Sequence, residues 1–402
     1  MSNIRSYLKE KEKRGYEQQD SFSDRIRKHR LVLLYRVLLA VVIVGAILLF
    51  FYLQQKNKVY ARMNTLTTVT RQELGNVTDI GLGEAMVTYS KDGIYCTDSQ
   101  GNALWNQTYE MQNPMVATCQ NVLAVADYNG RKVFVMNDEK KLGEVTTNMP
   151  IRSLCVAANG VVLTVQADTS VTWIYLYDSQ GKELAYFHTR MNDTGYPTAV
   201  TLSDNAKLVG VGYTYLEAGT MQTRVAFYNF GDVGENQIDH LVSGYNYADT
   251  FVPYLHFMNE STAFAVADNR LMIYGGSEVP ETKKEQLLDE EIQAVYNSDK
   301  YIGLVFFNNG ADSQYVLQVL NTQGEEVTRI PLALQSISDA RILFDDSSIT
   351  IYNEQKCLVY SLSGKLRYEG TFEKSVRTMI PQKGTYRYLL AYADSMEVVE
   401  LK

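Results

Sequence analysis

Residues 98–105 read DSQGNALW, and residues 178–187 read DSQGKELAYF. An apolar run ends just before each copy, Ile94 to Cys96 in the first and Trp173 to Tyr177 in the second. Another short apolar run follows. An Asp side chain can accept hydrogen bonds from backbone two residues on, and Gly takes φ > 0 without a steric cost. Each stretch therefore reads as strand, turn, strand.

Aligning on that turn recovers relatives at 135–145 (VMNDEKKLGEV), 318–330 (QVLNTQGEEVTRI) and 359–370 (VYSLSGKLRYEG). The wider gap leaves room for two further units, centred on 224–237 and 270–281. The spacing is about 40–45 residues, the size of one four-stranded propeller blade. Each unit parses as an inner strand A, a strongly apolar strand B, a strand C, the turn and a strand D. Strand B is the clearest, and eight copies occur: 85–90, 122–127, 161–166, 207–215, 262–268, 301–307, 348–353 and 386–394. Neighbouring blades cover a middle strand on both faces, so near-continuous apolar runs belong there.

The last unit supplies A, B and C at 376–381, 386–394 and 396–402, and then lacks a partner strand. Exposed edges are avoided. The unassigned run LTTVTRQ (66–72) is β-branched and alternating, and it is expected to complete the last blade and close the ring. The expectation is an all-β, eight-bladed β-propeller, with seven blades as the alternative if LTTVTRQ is a free linker.

Ahead of the propeller lies LVLLYRVLLAVVIVGAILLFFYL, residues 31–53. Val37 to Leu53 carries no charge over 17 residues. A membrane-spanning helix needs roughly 20 apolar residues. The expected organisation is a basic cytoplasmic tail at 1–30, a single transmembrane helix at 31–53, a linker at 54–63 and an extracytoplasmic propeller at 64–402. The first 59 residues hold 12 Lys/Arg and 5 Asp/Glu, or +7, so the net charge of −8 leaves −15 for the remainder. Positive charge before the span places the N-terminus in the cytoplasm. No small-x-small cleavage site follows the apolar run, which favours an uncleaved anchor. The acidic body makes nucleic acid a poor partner.

DSQGNALW resembles the turn and tryptophan of the pyrroloquinoline-quinone-type propeller repeat. The whole chain resembles a family of membrane-anchored β-propeller proteins of Gram-positive bacteria with no assigned activity. The resemblance implies fold and location. Trp105 is the only tryptophan after such a turn, so regular tryptophan docking between blades is not expected.

No chemistry stands out. Four histidines (His29, His188, His240 and His256) fall in separate segments, and no HExxH or Cys/His cluster occurs. No GxSxG, P-loop or GxGxxG motif is present. Two tryptophans do not furnish a quinone site. No catalytic residue, metal ligand or cofactor is expected. Asp127, Asp204, Asp268 and the Asp345–Asp346 pair sit at strand ends, where Asp is usually turn chemistry. Cys119 and Cys155 recur at similar points of neighbouring repeats, which leaves a disulfide between them open.

The remaining signal is surface. D-to-A and B-to-C connections share one face, and C-to-D turns emerge on the other. The first face carries the long loops 191–197, 215–223, 243–253 and 308–314. Function often lies in long loops on a rigid scaffold. Asp193, Tyr196, Tyr245, Tyr247 and Asp249 are the candidate binding residues there, and the short-turn face is expected to be inert. The expected function is a scaffold binding a protein or cell-wall partner. The alternative is an enzyme or sensor acting on extracellular glycan or peptide.

Overall fold

The computed structural model describes all residues except 1–2, 18–21, 57, 168–170, 192–193, 309–312 and 333–335. It divides into two compact units, Met1–Val59 and Tyr60–Lys402.

The first unit is helical. A polar helix, Asn3–Glu17, precedes a long one, Phe22–Lys56. Within the latter, Ile26–Phe50 is long and apolar enough to cross a membrane, and none of its apolar window is buried. Its apolar side chains lie all round the helix, so no single face could dock on a protein core.

The second unit is an eight-bladed β-propeller. Eight four-stranded antiparallel sheets follow one another, seven of them built from consecutive strands. Blades 1 to 7 span 78–108, 114–146, 151–190, 196–248, 254–287, 292–332 and 341–371. All eight apolar B runs are second strands of their sheets. Their side chains are almost wholly buried: Leu123, Ala124 and Val125 of blade 2 and Leu304 and Val305 of blade 6 have no exposed area.

Blade 8 breaks sequence order as the edge argument requires. Thr378–Pro381, Arg387–Ala391 and Ser395–Leu401 are joined by Met63–Thr70, which pairs antiparallel with Ser395–Leu401. Seven blades with a free linker are thereby excluded. The strand begins at Met63, inside the expected linker, and the helix before it runs on to Lys56.

A buried ion cluster locks this closure. Arg71, just past the closing strand, donates from Nη1 and Nη2 to the two Asp79 carboxylate oxygens at 3.1 and 2.6 Å. Asp79 lies on the first strand of blade 1, and its side chain is fully buried. Thr88 Oγ1 donates to Asp79 Oδ1 at 2.5 Å, and Arg377, beside the first strand of blade 8, approaches Asp79 to 4.0 Å.

The repeated turn has the expected chemistry. Asp98 Oδ1 accepts the Gln100 and Asn102 backbone N–H groups at 2.8 and 2.9 Å. Asp178 Oδ1 accepts those of Gln180 and Lys182, both at 2.9 Å. Gly101 and Gly181 have φ of 83° and 85°. Asn321 and Ser361 occupy the same place in blades 6 and 7 and accept from Glu325 and Lys365.

Tyrosine explains how blades dock without regular tryptophans. Trp105 Nε1 donates to the Asn137 carbonyl of blade 2 at 2.7 Å. Elsewhere tyrosine hydroxyls bridge the gaps. Tyr254 donates to Asn297 Oδ1, Tyr296 to the Ala340 carbonyl, Tyr388 bonds Thr350, and Tyr352 accepts the Met379 N–H.

Candidate functional site

Two regions of the propeller carry functional candidates: the long-loop face and the central channel.

On the long-loop face, blade 4 carries the longest B and C strands among the described residues. Its B and C strands, Leu208–Glu217 and Thr220–Asn229, pair over ten rungs and reverse at Ala218–Gly219, with φ of 50° and 85°. At the tip, Leu216 and Met221 form a cross-strand pair and are 75% and 45% exposed.

Of the five sequence candidates, the four that are described lie on or beside the first and last strands of blade 4. Asp193 lies outside the described residues. Tyr196 starts the A strand of blade 4 and is 42% exposed. Tyr245 and Tyr247 lie on the D strand of the same blade, three strand spacings away, or about 14 Å. Asp249 follows that strand, exposed, at φ 49°.

Tyr245 and Tyr247 are not free contact groups. The Tyr247 hydroxyl meets that of Tyr274 in blade 5 at 2.8 Å, and the Tyr247 ring is buried in the packing between blades 4 and 5. Burial, foremost, raises its phenol above the ordinary value. Tyr245 donates to the Pro280 carbonyl at 2.9 Å and packs on the same cluster. Both residues serve the propeller as interblade struts.

The central channel was not singled out in the sequence. A cavity of about 510 Å³ lies where the inner strands of blades 2 to 6 run into their A-to-B turns, at the short-turn end. Cys119, Cys155, Asp204, His256, Asn297 and Asp299 are among its lining residues, and no lysine or arginine lines it among the described residues. Cys119 Sγ donates to Asp204 Oδ1 at 3.4 Å, and Gln120 Nε2 to Oδ2 at 3.0 Å. Burial, then the Asp204 charge, pushes the Cys119 thiol up to about 12. His256 is driven below its ordinary value by burial, with Asp204 pulling it back up.

This arrangement can receive a small polar or cationic ligand, because its two carboxylates face no lining cation. It does not present a thiolate nucleophile. Cys119 and Cys155 are both free, and Cys155 Sγ bonds the Val200 carbonyl at 3.4 Å, so the two thiols have separate partners. Among the described residues, no three His, Cys, Asp or Glu side chains group as metal ligands. Asp127 and Asp268 accept backbone N–H groups of the preceding connections, and Asp346 pairs with Lys300.

The short-turn end is also less uniform than its sequence suggests. The C-to-D connection of blade 4, residues 230–240, holds a helical turn at Asp232–Glu235 and a 3-10 turn at Ile238–His240. Ile238 is 87% exposed there.

A model of a family of unknown function (DUF5711) matches residues 56–401, essentially the whole propeller. The chain belongs to that family. No curated protein matches it in sequence. Among solved structures, the C-terminal WD40 domain of Sif2 aligns with a TM-score of 0.55 at 12% identity, over 86% of this chain and 99% of that one. Sqt1 from Chaetomium thermophilum gives 0.52 at 10% identity, over 85% and 99%. BamB from Moraxella catarrhalis gives 0.48 at 11% identity, over 85% and 100%. At these identities the likeness is one of fold, and fold alone assigns no activity.

Proposed function

We propose that this member of the family is a membrane-anchored scaffold. Its N-terminus is cytoplasmic, and its propeller holds a protein or cell-wall component outside the membrane. The observation that carries the reading is the Ile26–Phe50 helix, apolar on every side and uncovered. Such a helix is stable in hydrocarbon because its backbone groups are satisfied internally. The basic segment before it and the acidic body after it fit that orientation. The partner surface in this reading is the long-loop face around Tyr196, Leu216 and Met221, whose side chains are 42%, 75% and 45% exposed. A catalytic reading that uses Cys119 as a nucleophile has less support, because burial and the Asp204 charge raise that half-buried thiol to about 12.

The test is proximity labelling in living cells from a label fused after Lys402. A scaffold enriches a discrete set of envelope proteins or wall material, and the enrichment falls when Leu216 and Met221 are changed to Ser. Cytoplasmic proteins in the labelled set, or an unchanged set with the double variant, would oppose the reading.

A further inference from the structure

The chain enters the propeller at its short-turn end. Met63 opens the closing strand opposite Leu401, the last residue of the blade 8 C strand. Just before it, residues 60–62 are pinned to that end. The Tyr60 N–H donates to the Arg367 carbonyl at 2.7 Å, and the Ala61 and Arg62 N–H groups donate to the Lys402 carbonyl at 2.9 and 3.1 Å. The Tyr60 ring lies 4.9 Å from that of Tyr386, in the A-to-B turn of blade 8. From Met63 the closing strand runs to Thr70 at the long-loop end.

The charge of this corner departs from that of the body. Arg62, Lys365, Lys383 and Lys402 are exposed there, and Arg387 is half-buried. Lys365 lies in the C-to-D turn of blade 7 and Lys383 in the A-to-B turn of blade 8. Two side-chain carboxylates stand among these cations: Glu84, 3.4 Å from Lys383, and Glu400, 3.2 Å from Arg387 and 3.8 Å from Lys402. The body as a whole carries −15, and the C-to-D connection of blade 4, across the ring, holds Asp232, Glu235 and Asp239 with no lysine or arginine. Apolar groups accompany the basic ones, since Leu366 is 39% exposed and Tyr60 and Tyr386 are half-buried.

We propose that this short-turn corner of blades 7 and 8 docks on the anionic phospholipid headgroups of the bilayer that the helix crosses. The inference rests on the anchored reading above and adds an orientation of the ring, with the short-turn end toward lipid and the long-loop face toward solvent. Chain length supports it. Leu53 ends the uncharged run, and Tyr60 follows seven residues later. Even a fully extended chain then keeps Tyr60 within about 25 Å of Leu53, whatever angle the two units adopt. Charge supports it as well, because an anionic surface attracts clustered Lys and Arg that come within a Debye length. Tyrosine is enriched at the membrane–water interface, which suits the Tyr60–Tyr386 pair. The acidic blade 4 connection is repelled by the same surface, so the ring tilts with blade 8 nearest the lipid. An acidic protein offers similar charge, but the tether brings lipid within reach of every copy of the corner.

The test places the full-length chain in nanodiscs of phosphatidylcholine, alone or mixed with phosphatidylglycerol, and follows acetylation of individual lysines by mass spectrometry. Docking predicts that Lys365, Lys383 and Lys402 react at least about threefold more slowly in the anionic discs, and that the difference vanishes in about 0.5 M salt. Lys91 on the long-loop face and Lys207 at the short-turn end of blade 4 are exposed and should react alike in both discs. In the double variant Lys365→Glu with Lys383→Glu, Lys402 should lose its protection, whereas Lys365→Arg with Lys383→Arg should keep it. Both positions are exposed, so charge reversal leaves the core untouched. Equal labelling of the corner in the two discs, equal protection of Lys91, or full protection of Lys402 after charge reversal would each overturn the docking. Chains that do not elute with the discs overturn the anchored reading, and the docking falls with it.

Discussion

Changing Arg71 to Met tests how the ring is closed. Arg71 supplies two charge-assisted hydrogen bonds to a carboxylate with no exposed area. Removing one partner of a buried pair costs about 3–5 kcal/mol, because the other charge is left uncompensated. Here Arg377 remains 4.0 Å from Asp79. At an effective dielectric of about 20, a pair at that distance retains about 4 kcal/mol of attraction, so the loss should sit near the lower end, about 3 kcal/mol. Thr88 keeps its bond to Asp79 Oδ1 and cannot supply charge. Urea denaturation of the full-length protein, followed by far-ultraviolet circular dichroism, measures the change. The double variant Arg71→Met with Asp79→Leu removes both charges and should recover most of the loss, since apolar replacement of a buried pair is often neutral. A single variant that costs less than about 1 kcal/mol would refute the lock. So would a double variant no more stable than the single.

Deleting residues 64–73 removes the closing strand and should cost several kcal/mol, since each apolar side chain that leaves the core forfeits about 1.5–3 kcal/mol; an unchanged urea midpoint would contradict the observed pairing. Tyr247→Phe should lose about 1–2 kcal/mol by orphaning the Tyr274 hydroxyl, while Tyr196→Ser should stay within about 0.5 kcal/mol, both read from urea midpoints. His256 has a folded pKa below its ordinary 6.5, so as pH falls the unfolded chain binds the proton first. Its contribution to stability is therefore present above about 6.5 and is lost as pH drops towards the folded value; His256→Asn should flatten the urea-midpoint profile between about pH 7 and 5.

Middle strands and turns were legible in the sequence because their physics is local or doubly constrained. A B strand covered on both faces has to be apolar throughout, as in VLAVAD and YIGLVFF. The DSQG turn needs both an Asx acceptor and a residue at positive φ, so its letters are specific. Met63–Thr70 could be placed from far away in sequence because an unpaired edge in blade 8 demanded it.

The candidate site was much less legible. Tyr196, Tyr245 and Tyr247 look equivalent as letters, yet the first is exposed and the others brace blade 5. That difference is set by the Pro280 carbonyl and Tyr274 of another repeat, which periodicity does not reveal. The cavity residues Cys119, Asp204 and His256 lie at the ends of A strands, the shortest and least patterned part of the repeat. A polar His inside the run YLHF was the available signal, but its direction depends on which strand is innermost. GDVGENQID in blade 4 passed for an ordinary C-to-D turn because its Gly, Asp and Asn letters suit turns and short helices equally.

The proposed orientation, an anchored propeller facing away from the cytoplasm, is open to a protease-protection measurement. Cells expressing the full chain with different epitope tags before Met1 and after Lys402 are stripped of wall and exposed to protease. An anchored propeller in that orientation loses the C-terminal tag and keeps the N-terminal one until the membrane is permeabilised. Survival of the C-terminal tag in intact cells, with or without loss of the N-terminal tag, would contradict it.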